Sequence, residues 1–222
     1  CGKCKAVAKG DICPISESEQ KLLSRDEILS GVRLLCLTRA LGDCEVEPLE
    51  ENRTDSQILT YGDFPKIELT PSFSRFGVAI DIGTTTLAAR LYDNSGKLLS
   101  SASRLTPQSE FGYDVISRIE ASIAGKSEEL AKVIAYALDG MIYDLSAAAK
   151  INSEDIDAAV ITGNTVMLSL LVGESAEPFS HAPFKAKRLF GEEIFAKEIG
   201  LKALLARTPI YFPPCISAFV GA

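Results

Sequence analysis

The 222 residues carry 23 Lys and Arg against 30 Asp and Glu and a single His, a net charge of −7, and 46% of them are hydrophobic and 24% charged. That length accommodates one domain or two, and the composition excludes a disordered or fibrous chain. The acidic balance excludes a general binder of nucleic acid or anionic membrane; no apolar run reaches the roughly 18 residues of a spanning helix and no secretory signal opens the chain, so the expected location is cytoplasmic.

Cys1 opens the chain inside what reads as a ligand loop, and an apolar segment is still running at Val220-Gly221-Ala222, so the expectation is a fragment of a longer protein. Of the cysteines, Cys1, Cys4, Cys13, Cys36 and Cys44 cluster at the start and only Cys215 lies apart. In a cytosolic chain such grouping favours metal ligation over disulfides. Cys1-Gly-Lys-Cys4 is a C-x2-C pair whose glycine lets the backbone turn toward sulfur, while Lys3 and Lys5 favour thiolates. Zinc would want a second close pair, and Cys36 with Cys44 is a poor one. The plant-type iron-sulfur spacing fits better. On it Cys1, Cys4 and Cys36 are the second, third and fourth ligands of a 2Fe-2S cluster, with the first ligand upstream; zinc and plain buried thiols remain the alternatives. Cys13, Cys44 and Cys215 are expected as small buried hydrophobes. Between the ligands, Asp26 to Gly31 reads as a short helical turn stopped by glycine, and Val32 to Leu35 leads into Cys36.

From Pro48 to Pro71 prolines, glycine and acidic residues interrupt every period, which predicts a linker over 48–72 with one short strand at Lys66 to Leu69. The expected domains are therefore 1–47 and 73–222.

The second region opens on Phe76-Gly77-Val78-Ala79-Ile80, a continuous apolar run that predicts a strand buried on both faces, ending at Asp81. A turn through Ile82-Gly83-Thr84-Thr85-Thr86 leads to a strand with Leu87, Ala89 and Leu91 on one face, and Asp93-Asn94-Ser95-Gly96 turns into a third strand from Lys97 to Ser103. Ser127 with Glu128 and Glu129 starts a helix whose apolar stripe runs from Leu130 to Leu145. Ala158 to Thr162 is a further strand, and Gly163-Asn164 turns it into a helix carrying Met167, Leu168 and Leu171, stopped by Gly173. Meander, crossover helices and strand together predict an α/β layer on a mixed sheet.

A carboxylate at a strand exit can hold the hydration shell of Mg²⁺. Asp81 occupies that position, Gly83 permits close backbone approach, and Thr84, Thr85 and Thr86 offer amides and hydroxyls to phosphate oxygens. The alternative is a structural turn in which the threonines merely suit strands. Neither a Walker lysine motif nor G-x-G-x-x-G is present. His181 reads as a polar loop residue, Lys185, Lys187 and Arg188 as a solvated basic face, and Asp114 with Arg118 as an ordinary i,i+4 pair.

Two resemblances sharpen this reading. Cys1-Gly-Lys-Cys4, Ser24-Arg25-Asp26-Glu27 and Arg33 to Arg39 through Leu41-Gly42-Asp43 resemble the ferredoxin module of the reductive activators of corrinoid proteins. The strand, turn, strand order around Asp81 resembles the first phosphate loop of the actin, hexokinase and DnaK-type ATPase superfamily. Phe111 to Ile119, Thr162 to Met167, Ala182-Pro183-Phe184 and Pro213 to Gly221 are similar to successive signatures of the ATPase domain of the same activators. The resemblance implies an α/β chain: the C-terminal part of a plant-type ferredoxin-like (β-grasp) module, then the first half of an actin-like (ribonuclease H-like) ATPase domain. It implies ATP and Mg²⁺ at Asp81, Gly83 and Thr84 to Thr86, with Gly163 and Asn164 beside them, and a corrinoid protein as partner, with no nucleic acid or membrane. The activity implied is ATP-dependent reduction of Co(II) to Co(I) on that partner. An iron-sulfur electron carrier or redox sensor with a nucleotide-binding domain, or a small-molecule kinase of the superfamily, are the alternatives.

Overall fold

The computed structural model describes residues 4–49 and 72–221, and its backbone divides into two compact units, Cys1–Gln57 and Ile58–Ala222. Cys1 and the strand expected at Lys66 to Leu69 lie outside the described residues. Among the described residues no helix is long and apolar enough to cross a membrane.

In the first unit, β1 (Lys5–Ile12) pairs antiparallel with β2 (Val32–Leu34) on one side and β3 (Ala40–Pro48) on the other. Between β1 and β2 the chain makes two short helices, α1 (Glu17–Leu22) and α2 (Arg25–Leu29). Each begins with a reciprocal cap: Ser16 accepts from the Glu19 amide while Glu19 accepts from Ser16, and Ser24 and Glu27 repeat the arrangement. Such pairs satisfy amides that so short a helix cannot bond internally, which is why helices of this length persist. Leu23, Val32 and Leu34 form a small core with Val7, Ile15, Ile28 and Leu49 packed around it.

Burial corrects two of the cysteine expectations here. Cys44 is exposed on β3, and Cys13 is half-buried, its Sγ accepting from the Arg39 amide at 3.2 Å. Only Cys215, in the second unit, is the buried thiol expected.

The second unit is a six-stranded mixed sheet in the order β6-β5-β4-β7-β9-β8. β4 (Phe76–Ile82), β5 (Thr86–Asp93) and β6 (Leu98–Leu105) form the antiparallel meander. Parallel β7 (Ile156–Gly163) lies against β4, parallel β9 (Pro209–Phe212) against β7, and β8 (Glu192–Phe195) closes the edge antiparallel. α4 (Ser127–Ala149) packs on β5 and β6 and against α5 (Thr165–Leu171), burying Leu130, Ile134, Leu138, Met141, Ile142 and Leu145.

β4 is not buried on both faces. Val78, Ile80 and Ile82 enter the core while Ala79 and Asp81 are exposed, and β7 alternates likewise, with Ile161 buried and Val160 exposed. An apolar run signals low polarity, and only the layer of helices decides whether one face or two are covered.

α4 starts at Ser127, as expected: the five residues before it, 122–126, form a wide turn with Gly125 at φ 91°, and the Ser127 hydroxyl bonds Ser122 Oγ at 2.7 Å. Asp114 does not pair with Arg118. It caps α3 (Val115–Ala121), accepting from Ser117 N at 2.8 Å, whereas Arg118 is fully buried, donating from Nε to the Gly112 carbonyl at 3.1 Å and touching Met167 Sδ. Burial pushes the Arg118 pKa down.

Candidate functional sites

The thiol site is built by the β1–β2 pairing. Lys5 faces Leu34 in that register, so the residues just outside it, Cys4 and Leu35, also meet, and Leu35 N donates to the Cys4 carbonyl at 2.9 Å. After β2 the chain turns back on itself, with Leu37 N and Thr38 N both donating to the Leu34 carbonyl, at 2.8 and 3.0 Å. Cys36 sits at the crest of that turn, exposed, and its Sγ lies 3.0 Å from Cys4 Sγ in a shared hydrogen bond. The bond from Cys36 lowers the Cys4 pKa, and the same bond raises that of Cys36, as expected of two thiols sharing one proton.

Two thiolates on one tetrahedral metal, each at about 2.3 Å, stand roughly 3.7 Å apart. The observed pair at 3.0 Å needs only a small opening to meet that requirement, so these residues fit two ligands of one iron. Cys1, the remaining predicted ligand in the chain, is outside the described residues, and among the described residues no group of three His, Cys, Asp or Glu could hold a metal.

The second site lies where β4 and β7 end side by side. Asp81 faces Ala88 on β5 and Thr162 on β7, and its Oδ1 accepts from the Thr162 hydroxyl at 3.1 Å. Gly83 N donates to the Thr86 carbonyl at 2.9 Å, closing the turn so tightly that a Cβ at Gly83 would stand 2.6 Å from that oxygen. Thr106 N holds the crest by donating to the Thr85 carbonyl at 2.9 Å. A Cβ at Gly163 would stand 2.7 Å from the Ile82 carbonyl, so both glycines are required by close backbone approach. The resulting cradle, with an exposed carboxylate at its rim and exposed Thr85 at its crest, suits a hydrated cation and phosphate oxygens.

Asn164 is structurally engaged. Its Oδ1 accepts from Val166 N at 2.9 Å, capping α5, and its Nδ2 donates to the Phe219 carbonyl at 2.6 Å. Thr165 Oγ1 donates to the Ser217 and Val220 carbonyls, so the segment that follows β9 is pinned to the same strand-exit edge. Thr162, Thr106 and Thr165 were not legible as site residues, because each acts through a strand or loop distant in sequence. His181 is an exposed loop residue bonded to Ser180 Oγ, and Arg188 of the basic cluster is paired with Glu192 at 3.0 Å and Glu174 at 3.6 Å.

A strand-turn-strand cradle beside a capped helix occurs in more than one family, so comparison with known proteins decides between them. Residues 76–222 match the model of the RACo middle region. The chain belongs to this family. Over 158 residues this RACo middle-region chain is 36% identical to the corrinoid activation enzyme RamQ of Eubacterium limosum, an alignment covering 66% of the chain and 25% of that enzyme. Among solved structures it resembles a reductive activator for corrinoid, iron-sulfur protein, with a TM-score of 0.63 and 21% identity, over 99% of this chain and 49% of the other. At that identity the likeness establishes the fold alone, a mixed α/β arrangement. The chain thus spans about a quarter to a half of the length of the proteins it matches.

Proposed function

We propose that this chain is the central part of an ATP-dependent reductive activator of corrinoid proteins. The first unit is read as the C-terminal part of a plant-type ferredoxin-like module, residues 1–47, and residues 73–222 as the first half of an actin-like ATPase domain, joined by a linker over 48–72. The observation that carries the proposal is the approach of Cys4 and Cys36 Sγ to 3.0 Å in a chain whose residues 76–222 match the RACo middle region. A thiol pair with a ligand-like spacing and a phosphate-type cradle in one polypeptide suit a protein that moves an electron under nucleotide control.

In this reading Cys1, Cys4 and Cys36 hold a 2Fe-2S cluster together with one ligand from elsewhere in the protein. When bound, such a cluster supplies one electron at about −400 mV. Cys36 lies at an exposed turn, which brings that ligand to the surface a partner can approach. Asp81 orients the water shell of Mg²⁺, and the amides and hydroxyls of Thr84, Thr85 and Thr86 donate to the nucleotide's phosphates, with Gly83 and Gly163 leaving room for the backbone and Asn164 fixing the adjoining helix.

The partner is a corrinoid protein, and the product is its Co(I) state formed from Co(II). For a one-electron couple, each 59 mV of uphill potential costs about tenfold in the equilibrium. Nucleotide binding can offset that only by as much as its affinity differs between the two conformations it selects. The test uses the full-length protein, reduced, with a Co(II) corrinoid protein and Mg-ATP. The Co(I) absorption band is expected to develop, and omission of ATP is expected to stop most of it. Equal Co(I) yield without ATP would make the protein an electron carrier, and phosphorylation of a small molecule would make it a kinase.

A further inference from the structure

Glu19 is an acidic side chain with no exposure at all, in a unit whose apolar core is small. Its carboxylate accepts from Ser16 N at 2.9 Å, Ser16 Oγ at 3.0 Å, Arg33 Nε and Nη2 both at 3.0 Å, Leu34 N at 3.2 Å and Thr38 Oγ1 at 3.4 Å. Arg33 is anchored in turn, donating from Nη1 to the Cys13 carbonyl at 2.9 Å and from Nη2 to the Pro14 carbonyl at 3.4 Å.

A buried ion pair is a weak source of stability, because desolvating two charges offsets most of their attraction. What this one does geometrically is specific. Leu34 and Thr38 are the two ends of the turn that carries Cys36, and Glu19 binds both. Cys36 itself is exposed, so no packing of its own orients it. Within the turn, the Leu37 and Thr38 amides and the Thr38 hydroxyl close on the Leu34 carbonyl; the placement of Cys36 relative to Cys4 depends further on Leu35 N on the Cys4 carbonyl and on Glu19, locked by Arg33, gripping Leu34 N and Thr38 Oγ1 from outside.

We infer that Glu19 is the positioning residue of the thiol site: its carboxylate, locked by Arg33, clamps Leu34 and Thr38 and so fixes Cys36 within reach of Cys4. The inference rests on the reading of Cys4 and Cys36 as a ligand pair, and it predicts a property measurable without iron. In the metal-free chain, equilibrated with glutathione, each Cys4–Cys36 disulfide formed reduces one glutathione disulfide to two thiols, and its yield, mapped by peptide mass, reports how well the two sulfurs are held together.

Glu19→Gln is expected to lower that yield, expressed as effective concentration, about tenfold, and Glu19→Asp about threefold, with the far-UV circular dichroism of each variant unchanged. If Glu19→Gln does not fold, Glu19→Asp decides in its place, because its shorter side chain withdraws the carboxylate while the Thr38 hydroxyl stays on the Leu34 carbonyl at 3.0 Å. A folded variant with the wild-type effective concentration would overturn the inference. A parallel iron and sulfide reconstitution of the full-length protein separates the two ideas. If wild type takes up no iron while the variants still lose effective concentration, the cluster reading fails and the positioning role stands.

Discussion

Replacing Asp81 with Ala is expected to weaken Mg²⁺-dependent nucleotide binding by the full-length protein about 100-fold, the upper end of the loss seen when a group holding a metal's outer shell is removed. Asp81 is the exposed penultimate residue of β4, its hydrogen-bond partner is the Thr162 hydroxyl at 3.1 Å, and the core residues Ile80 and Ile82 on either side point the other way. Deleting the carboxylate leaves the hydrophobic face of β4 untouched and loses one hydrogen bond near the surface, about 1 kcal/mol. Melting temperature is expected to shift by a few degrees at most, while titration calorimetry with Mg-ATP loses most of its signal. Unchanged affinity together with a large loss of thermal stability would return the Asp81-Ile82-Gly83-Thr84-Thr85-Thr86 segment to a structural turn.

Cys36→Ser is expected to abolish the visible absorption and the one-electron paramagnetic signal of the reconstituted full-length protein, whereas Cys13→Ser and Cys44→Ser keep both. Cys36 and Cys4 are 3.0 Å apart, but Cys44 is exposed on β3 and the Cys13 sulfur is committed to the Arg39 amide at 3.2 Å. A hydroxyl is a far poorer ligand for a soft iron-sulfur site than a thiolate. Because Cys36 is exposed at a turn, the fold of the metal-free unit is expected to survive its loss. Stoichiometric zinc and a colourless protein after anaerobic purification would exclude the iron-sulfur reading.

The buried carboxylate of the first unit also sets an acid limit. The Arg33 guanidinium, aided by the Ser16 and Leu34 amides, holds the Glu19 pKa down at about 2 from an ordinary 4.5. A carboxylate depressed in the folded state contributes stability that is fully present above its unfolded pKa and lost as pH falls toward its folded one. The Glu19 contribution is therefore intact above about pH 4.5 and declines from there toward pH 2. Urea melts followed across that window should fall more steeply with acidification for wild type than for Glu19→Gln, which carries no such group. Parallel slopes would remove Glu19 from the acid response.

Much of the second unit was legible because its signals are local. The alternation of Leu87, Ala89 and Leu91, the Asp93 to Gly96 turn and the periodic stripe of α4 each need only neighbouring residues, and all three appear in the structure. The errors share a cause as well. Ala79 and Val160 sit in apolar runs yet face outward, because the sheet is covered over these strands on the face that α4 and α5 pack against. Asp114 and Arg118 have the spacing of a surface pair, but α3 starts between them, so one became a cap and the other was buried beside Met167.

The sequence by itself determined the residue types at both sites: the C-x2-C pair with a distant Cys36, and a carboxylate, a glycine and three threonines at a strand exit. The strand-exit segment is written in consecutive residues, and the thiols are a spacing pattern that needs only the positions of the cysteines. Tertiary structure alone decided which groups hold them in place. Thr162 reaches Asp81 across parallel strands 81 residues apart in sequence, and Glu19 on α1 reaches Leu34 and Thr38, 15 and 19 residues further along the chain. Such partners are chosen by strand register and by the need to satisfy every buried polar atom, conditions that arise only once the chain has closed on itself.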